Sequence, residues 1–269
     1  FVDTVQFERT WVYLISVLVL IFSIAGIFQM KVTGNIVDDL QKNDRVLTDL
    51  AWVEENFNGV MPFEALIDCG EEGEALSLSN LKKIEKFQEL LGEYPEFSRS
   101  MSAVDATKFA VMALNDGDPS AYRLPLGKKE KLALRSYMRN TEKRSKDHKN
   151  AVSVTRTFVD STKSITRISA QMADIGTYDM DYLMADLRPR IDSIFSPDKF
   201  KVTLTGTSIV FLEGTHYLVN NLAISITLAI LVIALIMAIL FTSVRMVFIA
   251  LIPNIMPLVF TAGIMGWAG

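Results

Sequence analysis

The chain has 269 residues, 50% of them hydrophobic, yet 22% are charged and the mean hydropathy is +0.27; a uniformly soluble domain rarely combines these values, and a disordered chain lacks the apolar content. A formal net charge of -4 excludes the basic surplus with which nucleic-acid binders neutralise phosphates. One cysteine, Cys69, excludes an internal disulfide framework and a zinc site of paired cysteines, and the two histidines, His148 and His216, have no metal-ligand spacing.

Three uncharged runs divide the chain. Thr10–Met30 (21 residues), Gly214–Val244 (31 residues, most apolar at Leu222–Phe241) and Met246–Gly269 (24 residues) each reach the ~20 residues a helix needs to cross a hydrocarbon core. Backbone groups in lipid must pair internally, so all three are predicted to be helices. The first run has a rival reading as a signal peptide, with Ser23 and Ala25 at its cleavage site; the apolar stretch continuing past Ala25 argues for a span. Arg9 before the first run and Arg245 between the other two are placed in the cytoplasm by the positive-inside tendency. Segment 1–9 is then cytoplasmic, 10–30, 222–241 and 246–269 are spans, and 31–221 is exported.

The exported segment reads as α/β. Val46, Leu50, Val53 and Phe57 recur at helical spacing behind a cap at Asn43, and Asn58–Gly59 ends the helix. Pro62–Asp68 alternates like a strand, and Leu81, Ile84, Phe87 and Leu91 form a helical stripe started by Ser79 and Asn80. A short strand is expected near Ser100–Val104. Downstream, Ala151–Phe158 is strand-like, Leu183, Leu187, Ile191 and Ile194 make a second stripe, and Phe200–Thr205 alternates up to Gly206. The predicted order is β-α-β, an insertion at 105–150, and β-α-β again, each unit needing a helix over its apolar sheet face. Within the insertion, Lys108–Leu114 and Lys129–Met138 are expected helices. Lys128–Lys149 carries nine basic and three acidic residues; Lys128, Lys129, Lys131 and Arg135 are candidate contacts for anionic headgroups or a partner, against the simpler reading of a solvated charge run.

Chemistry-bearing motifs are missing: no Walker loop, GxGxxG, HExxH or GxSxG appears. The expectation is therefore a protein that is no enzyme and needs no cofactor. Asp179 and Asp181 suit a helix start, and Cys69 suits a small buried residue. The three runs also lack Asp, Glu, Lys and Arg in their apolar cores, so a proton relay is not expected within this chain. Pro253, Asn254 and Pro257 interrupt the third run, where prolines free backbone carbonyls and bend a helix; Gly263, Gly266 and Gly269 supply small surfaces for close helix contact.

One span, a large exported α/β segment and a tight pair of spans form a distinctive order. Val202-Thr203-Leu204-Thr205-Gly206-Thr207-Ser208 leads into the second run, and Phe241-Thr242-Ser243-Val244-Arg245 makes the turn. Leu251-Ile252-Pro253-Asn254-Ile255-Met256-Pro257-Leu258 opens the third, followed by Gly263-Ile264-Met265-Gly266; Phe57-Asn58-Gly59 precedes the first strand. Over essentially its whole length the chain resembles the resistance–nodulation–division (RND) superfamily, nearest its MMPL-type and predicted-exporter branch.

The resemblance implies an α+β membrane protein whose transmembrane helices accompany an exported, porter-like α/β domain of two β-α-β units. It implies twelve spans in two similar halves, proton-driven export of hydrophobic or lipid-like molecules, and relay acids in a fourth span. The chain, starting at Phe1 and stopping in or after its third span, is then expected to be an N-terminal fragment. Pro253, Asn254 and Pro257 match the family's Pro-Asn-x-x-Pro element in a structural role. The implied location is the cell inner membrane, multi-pass, with the large domain periplasmic. Implied partners are membrane lipids, a hydrophobic substrate, the remaining transmembrane helices and a second copy of the chain, with no nucleic acid. Alternative readings are a non-transporting, sterol-sensing-like membrane sensor and a SecD/SecF-like protein-export auxiliary.

Overall fold

A computed structural model describes residues 9–30, 34, 45–127, 129–134, 136, 157–241 and 244–268. They divide into two compact units, Phe1–Thr33 with Gly214–Gly269, and Gly34–Glu213.

The Gly34–Glu213 unit is built on a three-stranded antiparallel sheet of β1 (Met61–Asp68), β2 (Ile165–Met172) and β3 (Lys201–Thr205), with β1 in the middle. Successive side chains on a strand alternate between faces. Met61, Phe63, Ala65 and Ile67 of β1 are buried beside Thr166, Ile168, Ala170 and Met172 of β2. The opposite face is polar, with Arg167 donating to Glu64 at 3.1 Å. Helices α3 (Leu78–Leu91) and α5 (Gly176–Ile194) complete one core through Leu81, Ile84, Phe87 and Leu91, and through Met180, Leu183, Leu187 and Ile191. Two further helices, α2 (Arg45–Phe57) and α4 (Ala103–Leu114), flank them.

The strand expected near Ser100–Val104 is instead an edge segment followed by a helix. Glu96, Ser98 and Met101 exchange backbone hydrogen bonds with Ala173, Gln171 and Ser169 at 2.7–2.9 Å, antiparallel to β2. Ser102 then caps α4: its Oγ accepts from the Val104 amide at 3.0 Å, while the Asp105 carboxylate accepts from the Ser102 amide at 2.9 Å. This reciprocal capping box ends extended structure where the alternation of Ser100–Val104 suggested its continuation.

The strand expected at Ala151–Phe158 is also corrected. Residues 151–156 lie outside the described residues, and Thr157 and Phe158 are helical; the strand that pairs with β1 is Ile165–Met172. Its buried face carries Thr166 and Ala170 beside Ile168 and Met172, a weaker apolar signal than the Val152–Val154 alternation upstream. Thr166 is accommodated because its hydroxyl donates to the Phe158 carbonyl at 3.1 Å.

The remaining expectations shift mainly in their ends. Asn43 lies outside the described residues, and α3 is capped by Ser77, two residues before the expected start at Ser79, its Oγ accepting from the Asn80 amide. Of Lys129–Met138, residues 129–134 and 136 are helical and the others lie outside the described residues. β3 turns into α6 (Thr207–Phe241) at Gly206, whose φ of 103° and contact with the Pro62 carbonyl exclude a β-carbon. Ser208 donates to that same carbonyl at 3.0 Å. α6 therefore begins well before Leu222, and its 35 residues extend about 52 Å at the α-helical rise.

In the other unit, α1 (Arg9–Gln29) and α7 (Val244–Ala268) are single helices packed side by side. α6 and α7 are each long and apolar enough to cross a membrane; the apolar stretch of α1, Tyr13–Gln29, is shorter.

The turn into β2 is organised by Asp160. Oδ1 accepts from the Ser164 and Ile165 amides, both at 2.9 Å, and Oδ2 accepts from the Thr162 amide at 3.1 Å and from the Thr162 hydroxyl. Burial pushes this carboxyl upward, but those hydrogen bonds outweigh it and hold the pKa at about 2. A depressed carboxylate contributes stability above its unfolded pKa and loses it as pH falls through the folded value. Asp160→Ala should therefore lower the melting temperature at pH 5, with the gap from wild type closing between about pH 4 and pH 2; thermal melts across that range check it.

Candidate functional site

No constellation of nucleophile, base and orienting group forms among the described residues. The sequence-selected residues fall into two places instead: the helix pair of the apolar unit and the basic stretch of the other.

The helix pair is held by backbone-to-backbone approach. A β-carbon on Gly263 would strike the Ser23 backbone, and one on Gly266 would strike the Gly26 carbonyl. Gly26 in turn faces the Gly263 carbonyl and the Trp267 indole. Small residues allow such approach where lipid on the outside supplies no hydrophobic drive for association. Trp267 closes the contact. Its ring stacks on Phe22 with centroids 5.0 Å apart, and its indole N–H donates to the Phe22 carbonyl at 3.1 Å. Ser23 is 2% exposed and donates its hydroxyl to the Val19 carbonyl within its own helix. Residue numbers rise together along the contact, Ser23 against Gly263 and Gly26 against Gly266, so α1 and α7 run parallel.

Pro253 and Pro257 lie inside α7, which continues through both. Each proline lacks the N–H that would bond the carbonyl four residues back. The carbonyls so freed are those of Ile249 and Pro253; neighbouring side chains add bonds to other carbonyls of the helix, Thr261 Oγ1 donating to the Pro257 carbonyl at 2.8 Å and Asn254 Nδ2 to the Ala250 carbonyl at 3.4 Å. The five sequence-selected residues of α7 thus separate: Pro253, Asn254 and Pro257 act within the helix, and Gly263 and Gly266 meet α1. The partner face of α1 escaped the sequence reading. Its signal was Ser23 and Gly26, two small residues three apart in an otherwise bulky apolar run.

Of the basic candidates, Lys128 and Arg135 lie outside the described side chains, and Lys129 and Lys131 are exposed. Glu130 between them is engaged by Arg123, with guanidinium nitrogens at 3.0 and 2.9 Å, and by the Leu126 amide at 2.9 Å. Those hydrogen bonds hold its pKa at about 2. Glu130 is therefore paired with Arg123, while Lys129 and Lys131 on either side of it are exposed to solvent.

A groove of about 420 Å³ runs between α3, the 97–100 segment and α4, lined by Glu85, Gln88, Arg99, Asp105, Lys108 and Tyr122 among others. Its charges compensate one another: Lys108 bonds Glu85 at 2.7 Å, and Asp105 accepts from Gln88 at 2.7 Å and from Tyr122 at 3.1 Å. Burial and the Asp105 carboxylate push the Tyr122 hydroxyl's pKa up.

The family model described as "MMPL family" matches residues 95–269. This chain belongs to the MMPL family. The MMPL match takes in the edge segment, α4, β2, α5, β3 and both long apolar helices, so the Gly206 junction and the Pro253–Gly266 stretch fall inside it. It identifies a membrane protein of RND/MMPL transporter type. Among curated proteins, no sequence matches this MMPL chain.

The α1–α7 contact makes a direct prediction. Gly266→Val in the membrane-embedded protein must separate the helices and should cost about 1–3 kcal/mol, the usual range for overpacking. Trp267→Phe keeps a ring on Phe22 but loses the indole bond, and should cost about 1 kcal/mol. Thermal unfolding in lipid nanodiscs should rank wild type above Trp267→Phe, and Trp267→Phe above Gly266→Val.

Proposed function

We propose that this chain works in a proton-driven exporter of hydrophobic or lipid-like molecules, with 31–221 as an exported porter-like domain that captures substrate. The observation that carries the reading is the parallel packing of α1 on α7. Two parallel helices separated by one long apolar helix fit spans that cross outward, inward and outward. Arg9 and Arg245 then share one side, where the positive-inside tendency puts the cytoplasm. In this reading α1 is a full span, with the large α/β segment on the periplasmic side of the cell inner membrane.

The sheet unit supports a porter-like role through its topology. β1, α3 and the 96–101 segment form a crossover that skips β2, and β2, α5 and β3 form one that skips β1. Two split β-α-β units of this kind give a sheet with one helical layer and one open polar face. The domain needs no catalysis of its own; shifting the population of two conformations is enough to move cargo. Proton binding takes place on spans outside this chain, because the apolar runs carry no Asp, Glu, Lys or Arg in their cores. Membrane lipids, the remaining spans and a second copy of the chain are its partners. In this reading Lys128, Lys129, Lys131 and Arg135 contact anionic groups, as the excess of basic residues in their sequence supports.

Two measurements test the reading. With Cys69 replaced by Ser, a cysteine at Glu71 should react with a membrane-impermeant maleimide in intact cells, and one at Arg245 only after permeabilisation; the reverse pattern refutes the orientation. Reconstituted with the full set of spans, the transporter should move a fluorescent lipid across proteoliposomes under an imposed proton gradient. A protonophore should abolish that movement, and transport indifferent to the gradient would exclude the proton-driven mechanism.

A further inference from the structure

Helix α7 has two opposed faces, and α1 covers one of them. That contact is made by Gly263 and Gly266. Asn254 and Pro257 each lie nine residues before one of these glycines, about two and a half turns of helix, and so face the opposite way. Pro253 and Thr261 share that side, each four residues from Pro257. All four are exposed.

This second face is rich in acceptors and poor in donors. Pro253 and Pro257 have no N–H, so the carbonyls of Ile249 and Pro253 lack the partner four residues on. The two carbonyls sit one turn apart, about 5.4 Å along the axis. Asn254 Nδ2 donates to the Ala250 carbonyl at 3.4 Å and Thr261 Oγ1 to the Pro257 carbonyl at 2.8 Å, neither to the freed pair. Asn254 Oδ1 adds a third acceptor. In hydrocarbon, backbone groups freed by proline need donors from a neighbouring helix or from water.

The shape of the face favours a helix over water. Ala250, Pro257, Thr261 and Ala268 recur at intervals of seven, four and seven residues, the spacing of a packed seam. Small side chains let a second backbone come close, as Gly263 and Gly266 do for α1. The described helices of this chain do not supply the donors. α1 occupies the other face. In the Leu222–Phe241 stretch of α6 the side-chain donors are the hydroxyls of Ser225 and Thr227, and Thr227 donates to the Ala223 carbonyl at 2.9 Å. One hydroxyl is then left for two carbonyls a turn apart. A second copy of α7 would set one row of acceptors against another. We propose that this face of α7 docks on a further span, outside Phe1–Gly269, whose side-chain O–H or N–H groups donate to the Ile249 and Pro253 carbonyls. The inference rests on the multi-span part of the reading above and on no property of the cargo. Pro253 and Pro257 then turn the backbone of α7 into a recognition surface.

Spin labelling of the protein with its full set of spans, in lipid nanodiscs, tests this. With Cys69 replaced by Ser, nitroxides at Ala250→Cys and Thr261→Cys should be shielded from a water-soluble nickel chelate. They should also collide with oxygen several-fold less often than a nitroxide on a lipid tail. Oxygen collisions equal to those of the lipid tail overturn the proposal, because the face then meets lipid. Strong broadening by the nickel chelate overturns it in favour of water, and dipolar coupling between labels on separate molecules in favour of a second copy. Pro257→Ala tests the donors. It restores an N–H to the Pro253 carbonyl, and alanine is far the better helix former, so an uncovered α7 gains stability. A docked α7 instead loses a bond to its partner, and the folded-to-unfolded ratio should fall about fivefold. A rise in thermal stability refutes the donor contact. Should Pro257→Ala fail to fold, the labels at positions 250 and 261, which leave both prolines in place, still decide. Neither readout involves cargo, so a failed transport assay with a shielded seam refutes the exporter reading and leaves the docking standing.

Discussion

Every backbone N–H and C=O must find a partner where water cannot reach it. That constraint sorts the whole chain. In the apolar runs the partners are within the same helix, so α1, α6 and α7 are uninterrupted over 21, 35 and 25 residues. In α7 the Thr261 hydroxyl and Asn254 amide add bonds to the Pro257 and Ala250 carbonyls of their own helix. In the sheet unit the partners lie on neighbouring strands, and where strands end the side chains of Ser77, Ser102 and Asp160 take over. The two units solve one problem with different means, because one has water at its boundary and the other has lipid.

The sequence was legible where burial is large and periodic. β1, β3, α3 and α5 follow from alternating or 3.6-residue apolar patterns, and their ends moved only because caps are local hydrogen-bond chemistry that hydropathy does not register. The errors have the opposite cause. β2 is a core strand whose buried face holds Thr166 and Ala170, residues that fit because Phe63 fills the space beside Ala170 and Phe158 accepts the Thr166 hydroxyl. No pattern within eight residues reveals that the missing volume is supplied by a strand about a hundred residues away. Ser102 misled in another way: a capping serine looks like one polar step of an alternating strand until Asp105 is read with it.

The helix contact was half legible. Gly263 and Gly266 stood out because small residues three apart are unusual among bulky ones, but their partners on α1 could be found only once the register was known. The proline pair announced a bend, whereas α7 runs as one helix through both positions. The basic stretch was visible as charge, whereas the capture of Glu130 by Arg123 required three-dimensional placement. MMPL membership draws on the segment from residue 95 onward, and the sheet's central strand, β1, lies before it.

The stacking of Trp267 on Phe22 joins residues 245 positions apart. During synthesis at about 5–20 residues per second, α1 must wait roughly 12–50 s before its partner exists. Throughout that interval its contact surface is Ser23 and Gly26, which bury their polar atoms in their own helix and offer lipid no unpaired group. A side chain that needed a partner to satisfy it, such as a buried carboxylate, would have nothing to meet for most of the chain's assembly. The contact therefore places its single demanding group, the indole N–H, on the helix made last, where the acceptor is already waiting.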